Sequence, residues 1–201
     1  MRRISLICLL LATLLLVGCG ARFDVTQTGY LDTKTDRHYT ALSAAFEAAA
    51  RGEEVGVFED EKNGRVITFY VIPDADATRF LTDEDGALYC ADEKAPDASC
   101  WEISRILVCE EDAISVAISD LTDKTLIGEI KSVWFEGEGA ELPLESATTV
   151  RRLKMVGKDF PGIYYCVNYY VYEDGSAYFY DMIARRAVAV PAALGEQIPL
   201  D

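Results

Sequence analysis

Short segments in which apolar and polar residues alternate, separated by turn residues, follow one another along most of the chain. Alternation over four to eight residues predicts β-strands. Strands are predicted at residues 55–59, 65–72, 87–90, 101–109, 113–119, 126–135, 150–156, 163–172 and 177–183. Because few helical segments lie between them, antiparallel pairing is favoured over a parallel sheet.

A helical spacing precedes these strands. Apolar residues recur every three or four positions between Tyr39 and Ala49, Asp36 is a suitable N-cap, and Gly52 follows the last turn. This pattern predicts an N-terminal helix. The expected fold class is therefore α+β, with a largely antiparallel sheet or partial barrel and one N-terminal helix packed on it.

Seven tyrosines fall between residues 164 and 180, within one predicted hairpin. If Asp174 and Gly175 form a two-residue turn, Tyr170 and Tyr172 share a face with Phe179 that mixes aromatic rings with hydrogen-bonding groups. We expect any ligand face to include Tyr170 and Tyr172. The alternative is that the tyrosines only fill the core and the sheet surface, since a tyrosine ring packs well while its hydroxyl stays wet.

The N-terminus carries an export signal. Residues 4–18 hold no charge and follow Arg2 and Arg3. This run is too short to span about 30 Å of hydrocarbon comfortably, which favours cleavage. The sequence Leu16-Val17-Gly18-Cys19 resembles the lipobox of bacterial lipoproteins, in which the cysteine receives fatty acids such as palmitate and becomes the new N-terminus. The alternative is an ordinary signal peptide that contains a cysteine.

The resemblance covers residues 1–20 only and implies a division of the chain. Residues 1–18 are a signal peptide, residues 19–37 are the lipidated Cys19 with a polar tether, and residues 38–201 form a single globular domain. The implied location is the extracytoplasmic side of a cell membrane or outer membrane. The segment 20–37 has an alternative, in which Phe23 and Tyr30 dock on the domain as part of an edge strand.

The charge of the chain excludes some partners. It contains 34 acidic and 19 basic residues, a formal net charge of −15, and loss of Arg2 and Arg3 makes the remainder more negative. Nucleic acid and anionic lipid are repelled by such a surface as a whole. We therefore expect no nucleic-acid partner.

Four cysteines remain beyond Cys19. An even number in an exported chain predicts disulfides, and Cys90 with Cys100 closes an acidic loop at a gain of about 2.5–3 kcal/mol. The alternative is that all four are buried thiols. The remaining two cysteines are Cys109 and Cys166, and no CxxC motif indicates a zinc site or a thiol–disulfide catalyst.

The chain offers little catalytic chemistry. His38 is its single histidine, which excludes HExxH zinc sites and disfavours a Ser-His-Asp triad. Acidic clusters at 59–61, 83–85 and 110–112 fall between predicted strands, where solvated turns are expected. No catalytic, cofactor-binding or metal-binding residue is predicted. The expected function is a non-enzymatic module that binds an envelope protein, peptide or glycan; the alternative is a carboxylate-based hydrolase of envelope or exported glycans.

Overall fold

The computed structural model describes residues 21–91, 94–110 and 116–200, and this part of the chain is mostly β-structure. The strands are β1 (Ala21–Val25), β2 (Gly29–Asp32), β3 (Arg37–Ala41), β4 (Phe46–Ala48), β5 (Glu54–Asp60), β6 (Arg65–Val71), β7 (Phe80–Thr82), β8 (Leu88–Cys90), β9 (Ile103–Glu110), β10 (Ala117–Leu121), β11 (Gly139–Ala140), β12 (Thr149–Gly157), β13 (Ile163–Val171), β14 (Ala177–Asp181) and β15 (Arg186–Ala189). The helices are α1 (Lys124–Glu136) and the short α2 (Ala192–Gly195).

The first half of the chain forms a closed barrel with the strand order β1-β2-β3-β8-β7-β6-β5. Its neighbours pair antiparallel except β1 and β5, whose parallel pairing closes the barrel. Aromatic rings fill the interior: Phe23 and Phe69 lie 4.2 Å apart between centroids, and Tyr30 and Tyr89 lie 5.7 Å apart. The alternation of side chains along each strand sends one face into this aromatic core.

The residues predicted as a polar tether are part of the folded domain from residue 21 onward. Residues 21–32 contribute β1 and β2 to the barrel wall, and Phe23 is 1% exposed. Residues 21–32 therefore dock on the domain, but as two strands of a closed barrel and not as the edge strand of the alternative prediction. The segment is rich in polar residues because its outward-facing positions, including Asp24 and Thr28, are exposed.

The prediction of an N-terminal helix is wrong. Residues 37–41 form β3 and residues 46–48 form β4, and Asp36 lies in the preceding turn with a φ of 56° instead of capping a helix. Tyr39 points into the barrel, whereas Phe46 packs on Trp101 at a ring distance of 5.9 Å. The helical spacing was misleading because these apolar residues serve two separate cores.

The second half of the chain forms a second sheet with the order β10-β9-β12-β13-β14-β15-β11, and β4 pairs with the start of β13. All of its pairings are antiparallel. Helix α1 covers one face of this sheet with Ile127, Ile130 and Trp134, which pack on a buried core that includes Leu153 and Phe179.

Helix α1 replaces the strand predicted at 126–135. The side chain of Asp123 caps it by accepting a hydrogen bond from the backbone N–H of Leu126 at 2.8 Å. Ile127, Ile130 and Trp134 recur at helical spacing, but the segment is rich in β-branched residues, which favour strands when local preference decides. Burial against the sheet outweighs that preference here.

A third cluster of buried residues joins the barrel to the second sheet. Phe80 and Leu88 from the outer face of the barrel meet Phe46, Trp101 and Ile163. Strands β7 and β8 are buried on both faces, because Leu81 and Tyr89 point into the barrel.

The β5–β6 and β13–β14 hairpins have loops of more than two residues. In the first, Asp60 pairs with Arg65, so residues 61–64 form the loop, in which Gly64 has a positive φ. In the second, Val171 pairs with Ala177 and Tyr170 with Tyr178, one residue away from the expected register. A three-residue loop, 173–175, causes this shift and exchanges the two faces of β14.

Candidate functional site

The face of the second sheet that points away from α1 carries a cluster of four tyrosines, the tyrosine face, contributed by β13, the residue after it and β14. These are Tyr170, Tyr172, Tyr178 and Tyr180. The rings of Tyr170 and Tyr180 lie 5.4 Å apart and those of Tyr172 and Tyr178 lie 5.7 Å apart. Tyr170 is half-buried, whereas Tyr172 is only 6% exposed.

The face prediction was right for β13 and wrong for β14. Tyr169 is buried under α1 and Tyr170 lies on the opposite side, as expected. Phe179 belongs to the core, and Tyr178 and Tyr180 join Tyr170 instead. The exchange follows directly from the one-residue shift of the hairpin.

A groove runs from the tyrosine face to the barrel, and we call it the Arg152 groove. It consists of two adjoining cavities of about 320 and 110 Å³ that share Ala44 and Arg152 in their walls. The larger cavity is lined by Leu42, Ser43, Ala44, Phe46, Glu47, Asp85, Gly86, Ala87, Leu88 and Arg152. The smaller is lined by Ala44, Ala45, Arg152, Cys166, Asn168, Tyr180, Asp181, Met182 and Ile183.

Regular elements fix the walls of the groove. Arg152 lies near the middle of β12, opposite Asn168 on β13 and Cys109 on β9. Residues 42–45 leave the barrel and cross to the sheet, held by hydrogen bonds from Leu42 N–H to the carbonyl of Leu88 and from Cys166 N–H to the carbonyl of Ala45. The site therefore stands on strands and on a segment that is tied at both ends.

An ion network forms the floor of the groove. Glu47 on β4 pairs with both Arg152 and Lys154 of β12, and its contact to the Lys154 ammonium is 2.7 Å. The side chains of Arg152, Lys154 and Glu47 are 25%, 12% and 27% exposed. Burial alone raises the pKa of the Glu47 carboxyl, but Lys154 and Arg152 outweigh it, so its pKa lies below the ordinary value.

Arg152 has hydrogen-bonding capacity left over. Its Nη2 pairs with Glu47 and lies 3.5 Å from the carbonyl oxygen of Ala44. Its Nε is buried and has no hydrogen-bond partner of good geometry within the part of the chain described, although the guanidinium also interacts with the thiol of Cys166. A guanidinium has five N–H donors and suits carboxylate recognition, and a buried donor without a partner costs free energy.

The thiols beside this network are poor nucleophiles. Burial raises the pKa of the Cys166 thiol far above its ordinary value, and burial also raises the pKa of Cys109. A thiol that stays protonated is unreactive, so these two cysteines act as packing residues.

The expected Cys90–Cys100 disulfide is not formed in the structure. Cys90 is buried in the cluster between barrel and sheet, whereas Cys100 is exposed and its thiol donates to Asp97 at 3.6 Å. The two side chains point to different environments. The alternative prediction, that all four cysteines are buried thiols, agrees with the structure at Cys90, Cys109 and Cys166 but not at Cys100.

The single histidine lies on the outer wall of the barrel, away from the Arg152 groove. His38 is a residue of β3, and its Nε2 is 2.6 Å from the hydroxyl oxygen of Thr26. It lines a polar surface depression of about 630 Å³ together with Thr28, Asp36, Arg37, Thr40, Thr78 and Ala91. This depression offers hydroxyl groups but no buried charged group.

The described residues contain no cluster of three or more His, Cys, Asp or Glu side chains that could hold a metal ion. Among the same residues, each carboxyl group with a shifted pKa is shifted downward, as at Glu47, Asp76 and Glu102. A general acid for glycoside hydrolysis needs a raised carboxyl pKa. These carboxylates are suited to ion pairing and to turns.

Sequence reasoning missed the ion network. The signal available was the alternation in Arg152-Leu153-Lys154, which places two cations on one face of a strand in an acidic chain. Glu47 was hidden because it was placed on a helix. Its pairing with β12 depends on β4 docking beside β13, a contact between residues far apart in sequence.

No known family model, curated protein or solved structure matches the chain. Within the residues that the structure describes, no helix is long and apolar enough to cross a membrane. The lipobox-like residues 16–19, with the expected lipid-attachment residue Cys19, lie outside the described residues.

Proposed function

We propose that this chain is a lipid-anchored, extracytoplasmic lipoprotein of the bacterial envelope that works as a non-enzymatic binding module. The anchor is Cys19, and the ligand is a peptide segment with a carboxylate, held in the Arg152 groove. The observation that carries the ligand assignment is the guanidinium of Arg152, which pairs with Glu47 and lines both cavities of the groove.

The chemistry of the groove supports a peptide with an acidic and an apolar part. Glu47 pairs with both Arg152 and Lys154, and Arg152 is the cation that lines the cavities, whose walls also carry the carboxyl groups of Asp85 and Asp181. The carboxylate of the ligand is therefore assigned to Arg152. On the rim, Met182 and Ile183 are 62% and 64% exposed and offer an apolar surface next to the cavity. A charge-assisted hydrogen bond to arginine contributes about 1.5–3 kcal/mol.

The tyrosine face extends the groove. Tyr180 lines the smaller cavity, and its ring packs on Tyr170, so a peptide longer than the cavity continues over these rings. Tyrosine is favoured at interfaces because one end of the side chain is apolar and the other forms hydrogen bonds. Tyr170 thus stays in the proposed ligand surface, while Tyr172 supports it from a buried position.

A peptide array tests the ligand assignment. Each peptide is presented once with all of its side-chain and terminal carboxyl groups free and once with all of them as amides, and binding of the soluble domain is compared with that of Arg152→Gln and Arg105→Gln. Arg105 is the matched control because it lies in the same sheet but pairs with Asp120 at 3.2 Å on an exposed surface. Arg152→Gln should weaken binding of the acids at least tenfold while Arg105→Gln changes it little; equal binding of acids and amides would exclude this ligand.

Labelling with a fatty acid tests the anchor separately. The wild-type chain should incorporate the label and sediment with membranes, whereas Cys19→Ala should incorporate no label and should either be released from the membranes or keep its signal peptide. Equal incorporation into both forms would show that the lipid is not at Cys19.

A further inference from the structure

The barrel wall begins almost at the proposed anchor. Strand β1 starts at Ala21, two residues after Cys19. Two fully extended residues span at most about 7 Å. Ala21 is itself 6% exposed and pairs with Gly56 of β5, so the barrel holds the chain firmly from this residue onward.

The close fit at Ala21 leaves little freedom. A Cβ added to Gly56 would lie 1.8 Å from the carbonyl oxygen of Ala21, which means that the two backbones are in direct contact and only glycine is accommodated. The next residue, Arg22, is held from the other side, since the N–H and the hydroxyl of Thr33 both donate to its carbonyl at 3.0 and 2.7 Å. Peeling β1 away from the barrel would break both sets of contacts.

One end of the barrel is therefore the end nearest the lipid. It comprises the start of β1, the start of β5 and the β2–β3 turn, 33–36, which Asp32 stabilises by accepting hydrogen bonds from Lys34 N–H and Thr35 N–H. Because β5 runs parallel to β1, the β5–β6 loop, 61–64, lies at the opposite end. Seven strand residues separate the two ends, roughly 20 Å at about 3.3 Å per residue.

The net charge of this barrel end is more favourable for contact with a lipid surface than the net charge of the whole chain. Its exposed charged residues include the bases Arg22, Lys34 and Arg37 and the acids Asp36, Glu53, Glu54 and Asp76, the last of which lies near Arg37. Positive and negative groups nearly balance among these residues, whereas the whole chain has a formal net charge of −15. Anionic headgroups therefore repel this end less than they would repel a surface with the average charge of the chain.

We propose that the protein sits directly on the lipid surface, with the barrel end around Ala21 and the turn 33–36 against the headgroups, instead of hanging on a tether. This inference rests on the proposed lipid anchor at Cys19. It has a consequence for the Arg152 groove: residues 42–45 follow the far end of β3, so this wall of the groove stands away from the membrane, where a partner has access.

Fluorescence quenching by lipids with spin-labelled headgroups measures this orientation. The full lipidated chain is reconstituted into zwitterionic vesicles in a Cys100→Ser background, which removes the exposed thiol, and one fluorophore is attached at Lys34→Cys or Lys62→Cys. Both positions are exposed loop lysines, so the two variants lose the same charge. The label at position 34 should be quenched strongly and the label at position 62 weakly; equal quenching would overturn the inference.

Two controls separate the anchor from the orientation. Inserting a twelve-residue Gly/Ser segment between Gly20 and Ala21 gives a reach of roughly 20 Å and should abolish the difference between the two labels. A Cys19→Ala chain that begins at residue 19 should leave both labels unquenched. If this chain stays on the vesicles, the proposed anchor is wrong; if the wild-type chain is anchored but its two labels are quenched equally, only the direct seating is wrong.

Discussion

The carboxylate of Glu47 lies 2.7 Å from the ammonium of Lys154, although strand β13 separates the strands that carry them. The same carboxylate pairs with Arg152, so one acid on β4 neutralises two cations on β12. This bridge holds β4 against the sheet and shapes the floor of the Arg152 groove.

Glu47→Gln should destabilise the protein. It leaves Arg152 and Lys154 without a counter-charge where both are mostly buried, and breaking a fully buried pair costs about 3–5 kcal/mol. Because the side chains of Glu47, Arg152 and Lys154 are 12–27% exposed, solvent screens these pairs in part. We therefore expect the free energy of unfolding, measured by chemical denaturation, to fall by about 1–3 kcal/mol. The matched control is Glu102→Gln, whose pair with Lys158 is at least half exposed, so that this substitution should change stability much less than Glu47→Gln. Equal effects of the two substitutions would contradict the assigned role of Glu47.

The contribution of Glu47 should depend on pH. Its folded-state pKa lies below the unfolded value of about 4.3, so its stabilisation is fully present above that value and is lost as the pH falls through the folded-state pKa. The difference in unfolding free energy between wild type and Glu47→Gln should therefore be constant near neutral pH and shrink below about pH 4. A difference that grows on acidification would mean that the Glu47 carboxyl is protonated more readily in the folded state.

Tyr172 should behave as a core residue. At 6% exposure, with its ring 5.7 Å from that of Tyr178, truncation to alanine should cost about 3 kcal/mol, near the lower end for buried aromatic residues. Tyr172→Phe keeps the ring and should stay within about 1 kcal/mol of wild type. The exposed Met182→Ala should shift stability by no more than about 0.5 kcal/mol. A thermal midpoint unchanged by Tyr172→Ala would instead indicate an exposed ligand residue.

The cysteines should differ in reactivity. Cys100 is exposed and should be alkylated in the native protein, whereas Cys90, Cys109 and Cys166 are buried and should react only after unfolding. Mass analysis of the unfolded, unreduced chain should then find all four alkylated. Protection of Cys90 and Cys100 until a reductant is added would show that they form the disulfide that the sequence suggested.

The sequence predicted strands well where the alternation of apolar and polar residues was regular. The ranges 150–156 and 163–172 correspond to β12 and β13, in which Leu153, Met155, Val167 and Tyr169 line one core. Antiparallel pairing also followed from the lack of crossovers. When only one face of a sheet is covered, every second residue of a strand is buried. This alternation depends only on neighbouring residues, so it is visible in the sequence.

The errors arose where distant contacts decide the structure. Tyr39 and Phe46 have the spacing of one helical face but belong to two different cores. The β-branched residues of α1 favour a strand locally, and their packing against the sheet stabilises the helix instead. Closure of the barrel depends on β1 reaching β5, a pairing that no local pattern indicates. The candidate site was missed for the same reason, since Glu47 and Arg152 are brought together by β4 docking beside β13.

The intact mass of the protein extracted from bacterial membranes tests the central claim, a lipid-anchored envelope module, most directly. The account predicts a chain that begins at Cys19 and carries the added mass of its fatty acids, released as the unmodified form when Cys19 is replaced by alanine and export still occurs. A soluble protein whose first residue lies elsewhere, or a chain from residue 19 with no lipid mass, would contradict it.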